Sequence, residues 1–164
     1  MQYRTATEYD LDAICELTGS AIISMENKNI FQWDSLYPTR DDFLEDIKKG
    51  ELFVGLLGEN IAVIYTLNRE CDEEYQNGDW KYLNSNFCVL HRLCVHPKYQ
   101  NQGIAGRTLV HIETELKKKH FDSIRLDVFS NNPAALKLYS NRGYQNVGFA
   151  DWRKGRFFLL EKHL

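Results

Sequence analysis

Residues 95 to 109 read VHPKYQNQGIAGRTL, and this stretch organises the rest of the chain. A strand ends at Val95, a turn follows at Pro97, and the polar run Gln100, Asn101, Gln102 leads through Gly103, Ile104, Ala105, Gly106 and Arg107 into a helix. A glycine after polar residues lets the backbone approach a ligand with no Cβ in the way. The helix that follows aims unpaired N–H groups at the same place. An anionic pyrophosphate suits such a site.

Two rival phosphate motifs fail on these residues. A Walker A loop needs glycine at 101 and lysine at 107, where this chain has Asn101 and Arg107. A dinucleotide fingerprint needs three spaced glycines opening a βαβ unit, and only Gly103 and Gly106 are present.

Downstream, residues 123 to 144 read SIRLDVFSNNPAALKLYSNRGY. Ile124, Leu126 and Val128 alternate with Arg125, Asp127 and Phe129, the period of a strand. Asn132 and Pro133 then suit the cap and first position of a short helix, and Gly143 suits its left-handed stop. The first stretch resembles the Q/R-x-x-G-x-G/A signature of the GNAT superfamily of N-acyltransferases, through Gln100, Gly103 and Ala105. The second resembles that family's N-x-x-A-x-x-L-Y-x-x-x-G-Y/F signature, through Asn132, Ala135, Leu138, Tyr139, Gly143 and Tyr144. The two occur in the family's order, with one helix and one strand separating them. Acetyl-CoA is the co-substrate this resemblance implies.

Composition is that of one enzyme domain spanning residues 1 to 164, with no Pro/Gly/Ser-rich linker to divide it. A net charge of −3 argues against nucleic acid as a partner. No apolar run approaches a membrane span and the N-terminus carries no leader pattern, so a cytoplasmic protein without a membrane partner is expected. The cysteines at 15, 71, 88 and 94 lack a disulfide spacing. Cys88, His91, Cys94 and His96 invite a zinc reading. On a strand over 87–95, however, His91 points away from the other three, and Cys88 and Cys94 lie roughly 20 Å apart. No metal is expected.

The remaining signals place strands at Gln2–Arg4, Leu52–Leu57, Ile61–Leu67, Phe87–Val95, Ile124–Phe129, Tyr144–Ala150 and Arg156–Glu161. Helices are expected from about Asp10 to Met25, Thr39 to Lys49 and Gln102 to His120, with the short one after Pro133. The stretch up to Asn86 reads as irregular. This order gives an α/β fold. The resemblance implies the GNAT-type form of it: a mixed, mostly antiparallel six- to seven-stranded sheet, helices on both faces, and a splayed central strand pair.

In the family, the pantetheine arm of the co-substrate lies against the first of the splayed strands. The resemblance therefore assigns main-chain contacts to Leu93, Cys94 and Val95, pyrophosphate contacts to the amides of about Gln102 to Arg107, and a further pantetheine contact to Asn132. It also makes Tyr139 the acid that protonates the departing sulfur, with the Cys94 amide steadying the carbonyl oxygen. Amide formation needs a base for a protonated amine. The glutamate that many members carry near the start of the strand is missing from FCVLHRLCV. His91, on a different face of that strand from Arg92 and Cys94, is the candidate base, with Asp127 orienting it or acting through a water. The bland reading makes His91 structural and pairs Asp127 with an arginine.

Phe31, Trp33, Tyr37, Trp80, Tyr82 and the acidic run Glu70 to Glu74 fall where the family builds its acceptor groove. Carboxylates with aromatics suit a cationic amine on a small molecule or peptide. The expected protein is an N-acetyltransferase, monomeric or homodimeric. The alternative is an acyl-CoA-binding module without turnover.

Overall fold

The computed structural model describes all 164 residues. Seven strands form one sheet in the order β1-β2-β3-β4-β5-β7-β6, comprising β1 (Gln2–Thr5), β2 (Leu52–Leu57), β3 (Asn60–Asn68), β4 (Phe87–Val95), β5 (Ser123–Phe129), β6 (Gln145–Trp152) and β7 (Gly155–His163). The helices are α1 (Leu11–Glu26), α2 (Arg40–Lys49), α3 (Ile104–Lys118) and α4 (Pro133–Ser140). The sheet is mixed, with β4 and β5 as a parallel pair.

Local chemistry explains most boundaries. Thr39 and Asp42 cap α2 reciprocally: the Asp42 amide donates to Thr39 Oγ1 at 3.3 Å and the Thr39 amide to Asp42 Oδ2 at 2.6 Å. Asn132 Oδ1 accepts from the Ala135 amide at 3.1 Å and so starts α4. α3 begins at Ile104, later than the polar run suggested, because Asn101 and Gly103 adopt left-handed conformations with φ of 60° and 73°. The stretch read as irregular holds a 3-10 turn over Glu73–Asn77.

The chain forms two compact units, one of residues 1–67 with 92–108, the other of residues 68–91 with 109–164. In the first unit, Ile14 and Leu17 of α1 and Phe43 of α2 pack with Leu52, Val54, Ile64 and Cys94. Ala62, Val63, Leu93 and Val95 pack instead with Ile104 of α3. Cys94 thus faces one set of helices while Leu93 and Val95 face the other, as strand alternation requires.

Arg92 breaks the extended path of β4 with a φ of 52°. For a residue with a Cβ this costs about 1–2 kcal/mol. Its guanidinium meets buried Asp46 of α2, Nη2 to Oδ2 at 2.5 Å. Thr66 Oγ1 donates to the same oxygen at 2.9 Å, and Arg92 Nη1 donates to the Tyr37 hydroxyl at 2.8 Å.

In the second unit, β7 runs antiparallel to both β5 and β6. The parallel register of β4 with β5 covers Phe87↔Ser123, Cys88↔Ile124 and Val89↔Arg125 and goes no further, as a diverging pair requires. Tyr75, Trp80, Val89, Val147, Ala150 and Leu159 form the core here. Gly148 makes room for the 3-10 turn: a Cβ there would sit 2.8 Å from the Asn77 carbonyl oxygen. No helix is long and apolar enough to cross a membrane.

Removing the carboxylate of Asp46 strands a buried guanidinium. Asp46→Ala should therefore cost about 3–5 kcal/mol in chemical denaturation. Asp12→Ala, which breaks an exposed pair with Arg40, should leave the midpoint unchanged. Equal effects of the two substitutions would show that the buried pair does not anchor β4.

Candidate active site

The first unit carries the loop that the sequence singled out. Asn101, Gln102 and Gly103 are exposed. Gly103 turns the chain into α3, and the Arg107 amide makes the first helical bond, to the Gly103 carbonyl at 3.0 Å. Left-handed residues in such a turn let successive N–H groups converge on an anion, and the helix dipole favours the same charge. Arg107 adds a cation at the first turn, its Nη1 donating to the Gln102 carbonyl at 2.9 Å. Gln100 ties the loop to β4 by donating from Nε2 to the Val95 carbonyl at 3.1 Å. Ile104 packs with Leu93 and Val95. The unit thus joins Leu93, Val95, Gln100, Gln102, Gly103, Ile104 and Arg107 into one connected structure, flanked by Asn101, Ala105 and Gly106. Cys94 is buried in the opposite layer, and burial pushes its thiol up to about 12.

The second unit carries the ionisable groups. Asp127, half-buried on β5, accepts a hydrogen bond from the Tyr75 hydroxyl at 2.9 Å. Tyr139 of α4 is buried, and its ring meets Tyr144 edge-on with centroids 5.3 Å apart. Burial raises the Tyr139 hydroxyl above its ordinary value, and the charge of Asp127 adds to that. His91 on β4 bonds through Nε2 to Asn68 Oδ1 at 3.0 Å. Asn132 uses its side-chain oxygen as the cap of α4, two helical turns before Tyr139.

The acceptor aromatics divide. Trp80 is core: it stacks on Tyr75 with centroids 5.4 Å apart, donates from Nε1 to the Tyr75 carbonyl, and carries the Arg125 guanidinium 4.4 Å above its ring. Trp33 packs against the first unit's core, and Tyr37 is bonded to Arg92. Phe31 stays exposed, as do Cys71, Asp72 and Glu73 in the acidic run. Arg125 pairs with buried Glu161 at 3.2 Å.

Sequence reading missed two residues here. Tyr75 meets Asp127 across 52 positions of chain, with no local pattern to announce it. Arg92 adopts a conformation that arginine rarely takes, so its residue type gave no warning.

Comparison with known proteins gives the family and the fold. The sequence model of the acetyltransferase (GNAT) family matches residues 23–144. The uncharacterized N-acetyltransferase YesJ of Bacillus subtilis is 28% identical over 160 residues, covering 94% of this chain and 86% of that protein. A GNAT-family acetyltransferase structure from Streptococcus agalactiae superposes with a TM-score of 0.86 at 22% identity, covering 99% of this chain and 95% of that one. A PaiA N-acetyltransferase from Thermoplasma acidophilum, solved in complex with coenzyme A, gives 0.73 at 17% identity, covering 99% and 98%. With both signatures in register and the family model spanning most of its length, the chain belongs to the acetyltransferase (GNAT) family and is an acyltransferase.

Proposed function

We propose that the protein moves an acetyl group from acetyl-CoA to a primary amine of a small molecule or peptide, by direct attack in a ternary complex. The observation that carries this reading is the exposed turn at Asn101 and Gly103 opening α3 in a GNAT-family chain. Its converging amides and Arg107 suit a pyrophosphate. The coenzyme A bound in the Thermoplasma relative supports the same assignment. Acetyl-CoA brings the acetyl group as a thioester, and this chain's residues hold it and manage protons.

Leu93, Cys94 and Val95 offer main-chain groups to the pantetheine arm, and Asn132 adds a contact. The amine's N–H bond breaks as its nitrogen bonds the acetyl carbon. The C–S bond breaks, and sulfur leaves with the electron pair. Tyr139 stays protonated through neutral pH, so it donates a hydrogen bond to that sulfur and delivers the proton that completes the thiol. The proton lost by the amine passes to a base and then to solvent, and Tyr139 regains from solvent the proton it gave to sulfur. Two groups qualify, His91 and Asp127, and the contacts favour Asp127. His91 already holds Asn68 through Nε2, whereas the half-buried Asp127 carboxylate is close enough to Tyr139 to shift its ionisation. A cysteine nucleophile is disfavoured, since burial keeps the Cys94 thiol un-ionised.

The exposed carboxylates of the acidic run favour a cationic acceptor. None of the four cysteines is in a disulfide, which supports a reducing, cytoplasmic setting.

Acetyl-CoA at a hundred times its Kd should stabilise the fold by about 2.7 kcal/mol. Gly103→Glu places a side chain and a negative charge in a left-handed turn, and should abolish that thermal shift while leaving a folded protein. A retained shift removes the turn from the binding site. Tyr139→Phe should lower kcat about 10- to 1000-fold, measured by thiol release over a panel of amines, with acetyl-CoA affinity nearly intact. A kcat within about twofold of the parent retires Tyr139 as the proton donor. Binding without thiol release on any amine would leave an acyl-CoA-binding module.

A further inference from the structure

Tyr75 is the most deeply buried tyrosine of the second unit, yet its hydroxyl is turned onto a carboxylate rather than onto water. Its ring is fixed on two sides, stacked on Trp80 and tilted against Trp152 at 6.5 Å. The Trp80 indole in turn donates to the Tyr75 main chain at 2.7 Å. We propose that Tyr75 is a positioning residue for acetyl transfer: its hydroxyl holds Oδ2 of Asp127 so that the carboxylate stays ionised and in place to accept the proton of the acceptor amine. This rests on the assignment of Asp127 as proton acceptor.

Asp127 lies half-buried on β5. On β7 the residue in register with it is Leu159. On α4 the group that faces it is Tyr139, held neutral by burial. On β4 the titratable side chain is His91, bonded to Asn68. Arg125, two residues along β5, is committed to Glu161 and to the faces of Trp80 and Phe87. Burial, with Asp127 and, just before the 3-10 turn, Cys71 and Asp72, keeps the Tyr75 hydroxyl protonated as a donor.

A hydrogen bond donated to a carboxylate favours its charged form, so losing the bond raises the pKa of Asp127. The expected shift is about one pH unit, from the usual strength of a bond to a charged group. Tyr75→Phe keeps the stacked ring and deletes only the hydroxyl. In protein carrying 13C-labelled aspartate carboxyls, the resonance missing from Asp127→Asn identifies Asp127, and in Tyr75→Phe its midpoint should move up by about one unit. The acid limb of kcat/KM should vanish in Asp127→Asn and move to higher pH by the same amount in Tyr75→Phe.

A limb lost in Asp127→Asn but unmoved in Tyr75→Phe overturns the role of Tyr75 and leaves Asp127 as the base. A limb retained in Asp127→Asn removes Asp127 as the base and the role of Tyr75 with it.

Discussion

An arginine with a φ of 52° in the middle of a strand persists only if its surroundings hold it there, and the buried contact of Arg92 with Asp46 does so. Asp46 of α2 and Tyr37 from the segment before α2 meet the guanidinium, and Thr66 of β3 donates to the same Asp46 oxygen. The strand leaves this point with Leu93 and Val95 packed in one layer and Cys94 in the other. The residues proposed to hold acetyl-CoA in the first unit follow within the next fifteen positions of chain, from Leu93 to Arg107. The bulky apolar core could tolerate many rearrangements; a buried charge with one partner cannot.

The second unit places two tyrosines beside one carboxylate. Burial raises the Tyr139 hydroxyl, and the neighbouring carboxylate raises it further. That same carboxylate is stabilised by the hydroxyl of Tyr75. The two tyrosines therefore differ in their relation to Asp127: burial and the nearby charge keep one neutral, and the other donates a hydrogen bond to the carboxylate.

The binding loop and the helix caps were legible because each is local. Gly103, Asn132, Thr39 and Asp42 act on amides within a few residues of themselves, so spacing alone announces them. Strand alternation likewise placed β5 before any tertiary contact was considered. The acceptor aromatics were not legible in the same way. Trp80 and the exposed Phe31 are equally aromatic on paper, and only packing made one a core residue stacked on Tyr75.

The sequence by itself determined the element order, the turn that opens α3, the family signatures and the identities of Tyr139, His91 and Asp127 as candidates. These depend on periodicity and on contacts a few residues long. The tertiary structure alone decided that Asp127 meets Tyr75, that His91 meets Asn68, that Arg92 leaves the extended conformation, and that burial holds the thiol of Cys94 un-ionised. The physical reason is range: a pKa or a strained φ is set by groups tens of residues away in the chain, brought near by a core whose pattern says which face is buried but not which side chains share it.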